Sequence, residues 1–313
     1  MNNEIQDVIM IGAGPSALTA AVYTTREELK TIIYEKGAVG GLVATIDKID
    51  NYPGFPEGIE GYELSDQLRK QAEKFGTKIE YGDVTSIRDE GKLKVVTVDG
   101  QEVKTKVVLI ASGSGYRKLN VPGEKEYLSR GVHYCATCDG AFYHGKRLVV
   151  VGGGNSAVQE AMFLTRFAKH IDLLSIGDIS ASEVLRNNLK QFVSEDKITV
   201  HLNTTTDEII ATDNKVTSVR ATKDGKPIEF KTDGVFVFVG LAPSTAFLAG
   251  SGVKLDAAGF VKTDDKLGTN IPGIFASGDV RSNSTKQIAS AVGEGATVAI
   301  SIREYLNHGK MTL

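Results

Sequence analysis

The stretch VIMIGAGPSALTAA (8–21) returns later in the chain as LVVVGGGNSAVQEA (148–161). Gly12, Gly14, Ser16, Ala17 and Ala21 reappear as Gly152, Gly154, Ser156, Ala157 and Ala161. Each copy is an apolar run of β character, then G-x-G-x-x-A, then small residues of helical character. The first glycine permits a tight strand-to-helix turn, and the second lets a pyrophosphate approach the backbone. Alanine at the third position keeps helix and strand close, and the helix N-terminus faces the anion. One such turn is a weak signal, because glycine-rich turns are common. Its repetition in the same context predicts two nucleotide-binding βαβ units.

The copies diverge downstream. After the first, LKTIIYEKG is a strand ending in Glu35, where a carboxylate can accept hydrogen bonds from a ribose diol. After the second, Ser175 stands at the equivalent place, so the two sites are not equivalent. VVLIASG (107–113) and GIFASGDV (273–280) are further buried-type strands ending in small residues, and a helix-like KQIASAVGEGATVAISIREYL comes next. If these late segments return to the first unit, that unit is discontinuous and the second is inserted into it. KVVTVDGQEVKTKVV and SVRATKDGKPIEFKTDGVFVFVG look like β-meanders with Asp-Gly hairpin turns. The expected fold class is α/β, with two Rossmann-like dinucleotide-binding domains, the second inserted into the first, and β-meander additions.

At 313 residues and 41% hydrophobic, the chain can build cores for two domains. Lys and Arg total 36 against 39 Asp and Glu, a formal charge of -3, which gives no electrostatic footprint for nucleic acid or an anionic membrane. MNNEIQDVIMIGAGP lacks a basic leader region, and no run approaches the ~20 apolar residues of a membrane span. The expectation is a cytoplasmic protein that binds neither membrane nor nucleic acid.

The chain has 2 cysteines, and both lie in HYCATCDG (133–140). A metal site needs four ligands, and only His133 and His144 are near Cys135 and Cys138, so no metal is expected. A staple across two residues closes too small a loop to constrain the unfolded chain much. A C-x-x-C pair suits redox chemistry, because it lowers one thiol pKa and forms an exchangeable disulfide. Beside a dinucleotide fold it can pass electrons to or from a flavin, with Asp139 placed to give or take a proton. Asp139-Gly140 also reads simply as a turn.

Together GAGPSALTAAVY, NYPGFPEGI, CATCDG, GGGNSAV, GVFVFVGLAPST and GIFASGDV…KQIASAVGEG resemble the low-molecular-weight thioredoxin reductase family, from about residue 7 to residue 305. The resemblance implies FAD in a discontinuous domain (1–118 and 244–313) and a nicotinamide-type domain (119–243) carrying the dithiol. FAD would be held by Gly12, Gly14, Pro15, Ser16, Ala17, Glu35, Gly40, Gly41, Leu42, Asn51, Ala111, Gly113, Gly278, Asp279, Lys286, Gln287 and Ile288. Of these, the turn glycines and Glu35 rest also on spacing. The resemblance further implies a homodimer that acts on thioredoxin or a thioredoxin-like protein. Cys138 would face the flavin, Cys135 would attack the partner disulfide, and Asp139 would manage the proton, with a domain rotation alternating the two encounters.

The departures concern the flavin surround and the electron donor. Gly40-Gly41-Leu42 stands where the family has Gly-Gly-Gln, and Lys286-Gln287 replaces Arg-Gln. NADPH-using members carry three arginines for the 2′-phosphate, and those positions here are Ile176, Gly177 and Ala181, near Asp178 and Glu183. Gly152, Gly154, Asn155, Ser156 and Ala157 therefore read as a weak pyrophosphate site or a structural relic. NAD(P)H use stays open: NADH and a donor straight to the flavin, such as reduced ferredoxin, rank level and both above NADPH. A flavin-dependent dithiol oxidase using oxygen, and a flavin redox sensor without turnover, are the competing functions. The intact Cys135-Cys138-Asp139 set favours turnover.

Overall fold

The computed structural model describes residues 5–46, 49 and 51–308. Residues 1–4, part of the stretch on which the leader reading rests, lie outside the described residues. The chain forms two compact units, one of Met1–Gly115 with Ala242–Leu313 and one of Tyr116–Leu241. The mixed α/β architecture with parallel sheets matches the expected fold class.

The first unit is built on a 7-stranded sheet. Strands Lys78–Tyr81, Thr31–Glu35, Gln6–Ile11 and Gln101–Ile110 lie side by side in parallel. Val8 to Ile11 and Val107 to Ile110 are buried throughout, as central parallel strands covered on both faces must be. Gln101–Ile110 is one continuous strand that serves two partners along the same edge. Its first half pairs antiparallel with Leu93–Val98, and its last residues pair parallel with Ile274–Ala276. The meander strand and the buried strand of the sequence reading are thus the same strand. Helix Pro15–Arg26 comes directly after the first glycine turn, with proline at its start where the missing N–H costs nothing. Gly295 of helix Ile288–His308 lies so near that an added Cβ would meet Ser16 O at 2.4 Å.

The second unit carries a parallel sheet in the order Ile198–His201, His170–Leu174, Arg147–Val151, Gly234–Val237, Val132–His133. Helices Asn155–Leu164 and Glu183–Ser194 serve it, and Thr204–Thr212, Lys215–Lys223 and Lys226–Lys231 form a separate antiparallel sheet. Two of the three Asp-Gly pairs expected as hairpin turns are tight hairpins with left-handed residues at the two central positions, whereas Asp233-Gly234 leads into Gly234–Val237 of the parallel sheet and makes no hairpin. Asp99 and Gly100 have φ of 47° and 78°, and Asp224 and Gly225 have the same pair of values. Among the described residues no helix is long and apolar enough to cross a membrane.

Candidate active site

The first glycine turn is shaped by backbone geometry. Gly12 has φ of +95°, and an added Cβ would meet Ala111 O at 2.6 Å, so glycine is required on both counts. Ala17, at the third position, is fully buried between helix and strand. Gly14 caps helix Pro15–Arg26 with no side-chain hydrogen bond, and an added Cβ there would meet nothing within 4 Å. That open space before unpaired helical N–H groups is a cradle for an anion. Glu35 stands at the end of the next strand, where its Oε2 accepts the Ala13 N–H at 2.7 Å and its Oε1 accepts the Gly37 N–H at 2.7 Å. Each carboxylate oxygen keeps a second lone pair for a ligand hydroxyl. Beside it opens a cleft of about 430 Å³ lined by Gly12, Glu35, Lys36, Asp83, Ser112 and Phe247.

The other candidates gather round this turn. The Gly40 N–H donates to Ala13 O at 2.8 Å, and Gly41 lies beside Gly14, which brings exposed Leu42 to the same rim. The Ala111 N–H donates to Ile11 O, and Gly113 O accepts from the Ser244 N–H. Ser16 Oγ shares a 2.6 Å hydrogen bond with Ser277 Oγ, which ties the helix start to the Gly278-Asp279 turn. The Gly278 N–H donates to Glu294 at 2.7 Å, and Arg281 holds both oxygens of that carboxylate at 2.6 and 3.0 Å. Asn51 Nδ2 donates to Gln287 Oε1 at 3.3 Å, and Ile288, which begins the last helix, packs on the cluster of Val43, Ile49, Ile59 and Leu64.

Asp279 and Lys286 need one another. Oδ1 of Asp279 is buried without a hydrogen-bond partner. Burial pushes this carboxyl above its ordinary range, and the Lys286 ammonium opposes the shift. Lys286 itself donates to the backbone carbonyls of Asp279 and, at 3.1 Å, Arg281, and its ammonium stands 4.2 Å above the Phe260 ring centre. Its charge is therefore spent on shaping the turn. An orphaned buried carboxylate oxygen calls for a ligand hydroxyl, and with the open Gly14 cradle it fits a bound FAD.

In the second unit Cys135 and Cys138 form a disulfide with an S–S distance of 2.04 Å. Cys135 precedes the short helix Ala136–Asp139, and its Sγ accepts the Cys138 N–H at 3.2 Å. Both sulfur-bearing residues are partly accessible. Nδ1 of His133 lies 3.2 Å from Oδ2 of Asp139, and Nε2 of His133 shares a 2.7 Å hydrogen bond with the Tyr143 hydroxyl. Among the described residues no cluster of three or more His, Cys, Asp or Glu could hold a metal ion.

The second glycine turn keeps its backbone shape. Gly152 has φ of +138°, and a Cβ would meet Phe238 O at 2.4 Å, while the position over Gly154 is open. Ala157 is fully buried and Ser156 exposed. The loop after Leu174 is strapped down on this turn. Gly153 O accepts from Ser180 N at 2.9 Å and Ser180 Oγ at 3.3 Å, and Asn155 Oδ1 accepts the Ser182 N–H at 2.7 Å. Ser175 is buried, its N–H given to His201 O and its carbonyl taken by the Thr204 N–H. Ile176 is 80% exposed, whereas Ala181 is only 3% exposed and belongs to the core.

The sequence reading missed His133, held by Tyr143, as the partner of Asp139, and the Arg281–Glu294 pair beneath Gly278. His133 drew notice only as a metal ligand, and its neighbours come from sheet pairing. No spacing signal marks the other two.

The chain matches the pyridine nucleotide-disulphide oxidoreductase family over residues 6–295. It is 44% identical over 313 residues to the thioredoxin reductase of Bacillus subtilis, covering 99% of this chain and 98% of that one. It superposes on the thioredoxin reductase of Streptococcus pyogenes with a TM-score of 0.89 at 39% identity, covering 98% of this chain and 100% of that one. A more distant likeness, at 28% identity and a TM-score of 0.52, is to a ferredoxin-flavin thioredoxin reductase from Clostridium acetobutylicum, covering 97% and 98% of the two chains. The chain belongs to the pyridine nucleotide-disulphide oxidoreductases and, within them, to the thioredoxin reductase family of FAD-binding flavoprotein enzymes.

Proposed function

We propose that this protein, as a cytoplasmic homodimer, reduces the disulfide of a thioredoxin or thioredoxin-like protein through Cys135 and Cys138, with electrons from a donor other than NADPH. The observation that carries the reading is the Cys135–Cys138 disulfide with Asp139 in the same turn. Gly12, Gly14, Glu35, Asn51 and Asp279 hold FAD in the unit of Met1–Gly115 and Ala242–Leu313, and the dithiol is carried by Tyr116–Leu241. Bound FAD supplies a two-electron store.

Two electrons entering the Cys135–Cys138 bond split it into a thiolate and, with one proton, a thiol. Cys135 is the attacking thiolate, because the Cys138 N–H aimed at its sulfur favours negative charge there. Attack joins Cys135 to one sulfur of the partner disulfide and expels the other as thiolate. Cys138 then gives its proton to Asp139, attacks the Cys135 sulfur, and remakes the disulfide while releasing the partner's second thiolate. The partner gains two electrons and two protons. One proton comes from Cys138 by way of Asp139, the other from water.

The donor reading rests on the second glycine turn. A 2′-phosphate is gripped by charge-assisted, often bidentate, arginine bonds. Here exposed Ile176, Gly177 and buried Ala181 offer no cation, and Asp178 and Glu183 are exposed nearby. Losing two or three contacts worth roughly 1.5–3 kcal/mol each weakens NADPH by orders of magnitude. Open Gly154 leaves room for NADH at a pyrophosphate. Reduced ferredoxin is the other donor, and the likeness to the Clostridium acetobutylicum protein supports it.

Anaerobic titration with NADPH, NADH or reduced ferredoxin, followed by flavin bleaching at about 450 nm, tests the donor. Stoichiometric bleaching by micromolar NADPH would sink that part. Thioredoxin-coupled insulin reduction from dithionite-reduced enzyme tests the acceptor, and oxygen uptake with small dithiols in its place would reassign the flow to dithiol oxidation. Cys135→Ser should keep a long-wavelength thiolate–flavin band and Cys138→Ser should lose it, with insulin reduction lost in both. Substantial turnover by Cys138→Ser would reverse the assigned order.

A further inference from the structure

His133 is 6% exposed and sits one strand-end before the dithiol, where nothing in the exchange chemistry above uses it. Its ring faces the carboxylate of Asp139 on one side, at 3.2 Å, and the Tyr143 hydroxyl on the other, at 2.7 Å. Phe236 stacks on the ring with centres 5.1 Å apart. The charged groups in its surroundings are few. Asp139 and Tyr143 touch it, and Asp233, 3.8 Å from Lys146, acts on Tyr143. Burial pushes the Tyr143 hydroxyl up, so it keeps its proton at every physiological pH. With the Tyr143 hydroxyl donating to Nε2, the imidazole proton lies on Nδ1, toward Oδ2 of Asp139.

We propose that His133 is a positioning residue for the dithiol exchange: held by Tyr143 and Phe236, it presents Nδ1–H to Oδ2 of Asp139 and so keeps that carboxylate turned for the Cys138 proton. The proposal rests on the assignment of Asp139 as the proton acceptor. In the step itself Cys138 loses its proton to Oδ1 of Asp139 as its sulfur bonds to Cys135 and the bond from Cys135 to the partner sulfur breaks. The electron pair leaves with the partner thiolate, which the carboxylate then protonates. His133 gains and loses nothing in the cycle. A carboxylate holding its second oxygen on an N–H donor stays the better-defined base.

The test uses FAD-loaded protein reduced with dithionite, freed of excess reductant, and mixed with 5,5′-dithiobis(2-nitrobenzoate), a small disulfide that needs no protein partner. Single-turnover release of the second coloured thiolate, the one expelled when Cys138 attacks Cys135, is followed from pH 5.5 to 9.5. Wild type should show a rising limb below that of an unassisted thiol, whose pKa is about 8.5. His133→Ala should move the limb up by about one pH unit and slow the reaction about tenfold at pH 7, a fraction of the roughly 10²–10⁴-fold that general-base assistance contributes. Asn places its amide nitrogen near the Nδ1 position and Gln near Nε2, so His133→Asn should recover most of the loss and His133→Gln should not. An unmoved limb in His133→Ala, or equal profiles for Asn and Gln, overturns the proposal. If the alanine variant fails to hold FAD, the Asn and Gln pair alone decides. Wild-type enzyme that exchanges normally while Asp139→Asn also does would instead remove the assignment of Asp139, and wild-type enzyme inert to the reagent would remove the reductase reading.

Discussion

The backbone N–H of Ala13 meets Oε2 of Glu35 at 2.7 Å, so the residue between the two turn glycines is fixed by the carboxylate that ends the next strand. The same carboxylate takes the Gly37 N–H on its other oxygen. One side chain thus sets the shape of two loops before any ligand reaches them, and its remaining lone pairs face the cleft.

Glu35→Ala should therefore cost more than one ligand contact. Hydrogen bonds to charged groups are worth about 1.5–3 kcal/mol, so FAD affinity should fall by about 10- to 100-fold. Fluorescence titration of apoprotein with FAD measures this directly, and unchanged affinity would remove Glu35 from the site.

Asp279→Asn separates stability from binding. The buried carboxyl is pushed up in the folded apoprotein, so the fold holds its proton more tightly than the unfolded chain does. Stability from this group accordingly falls as pH rises from the unfolded value through the folded one, and at neutral pH the ionised carboxylate is a burden. The neutral amide should raise the apoprotein Tm at pH 7 while weakening FAD by about 10-fold or more, through loss of a charge-assisted acceptor. A lowered Tm by differential scanning fluorimetry would contradict the account.

Ile176→Arg with Gly177→Arg should improve bleaching by NADPH and leave NADH unaffected. Ile176 points to solvent, and an added Cβ on Gly177 meets nothing within 4 Å, so both guanidinium groups can be accommodated. Adding Ala181→Arg should lower Tm instead, because that position is in the core. Equal NADPH bleaching rates for wild type and the double variant would argue against a missing phosphate grip.

Asp172 ties three strands of the second unit together. It accepts from His201 at 2.9 Å and Arg147 at 3.2 Å, and His170 stands 3.8 Å away. Burial alone would raise this carboxyl, but the His201 hydrogen bond and the charges of His170, His201 and Arg147 bring it below its ordinary value. Its stabilisation is present above the unfolded value, about 3.9, and is lost as pH falls through the lower folded value. Asp172→Ala should cost about 3–5 kcal/mol at pH 7, the range for breaking a buried pair. The gap between denaturant melts of the two proteins should narrow as pH falls below about 3.9, and a constant gap at every pH would exclude the linkage.

Local chemistry made much of this legible in advance. The glycine turns, the Asp-Gly hairpins and the apolar strands come from φ preferences and from burial on both faces, which act over a few residues. The candidate site was drawn from the sequence to the same depth: Gly12, Gly14 and Glu35 from spacing, and Asn51 and Asp279 through resemblance. Ser180 on Gly153, His133 beside Asp139 and Lys286 on the carbonyls of Asp279 and Arg281 were not readable. Each depends on which strands become neighbours, and that is settled by crossovers spanning many residues. Ala181 shows the limit most clearly. The resemblance set it among the phosphate-gripping positions, yet the loop turns it inward, into the hydrophobic core.

The sheet of the first unit is not closed until the chain is nearly finished. Ile274–Ala276 supplies its last strand, and helix Ile288–His308 packs on Pro15–Arg26. On a ribosome, the segment ending at Leu241 therefore emerges with all its strands while the unit begun earlier still lacks its closing pieces. At roughly 5–20 residues per second this order leaves the N-terminal strands waiting for roughly 8–33 seconds. During that time the edge of Gln101–Ile110 destined for Ile274–Ala276 is unpaired and open to mispairing or chaperone capture.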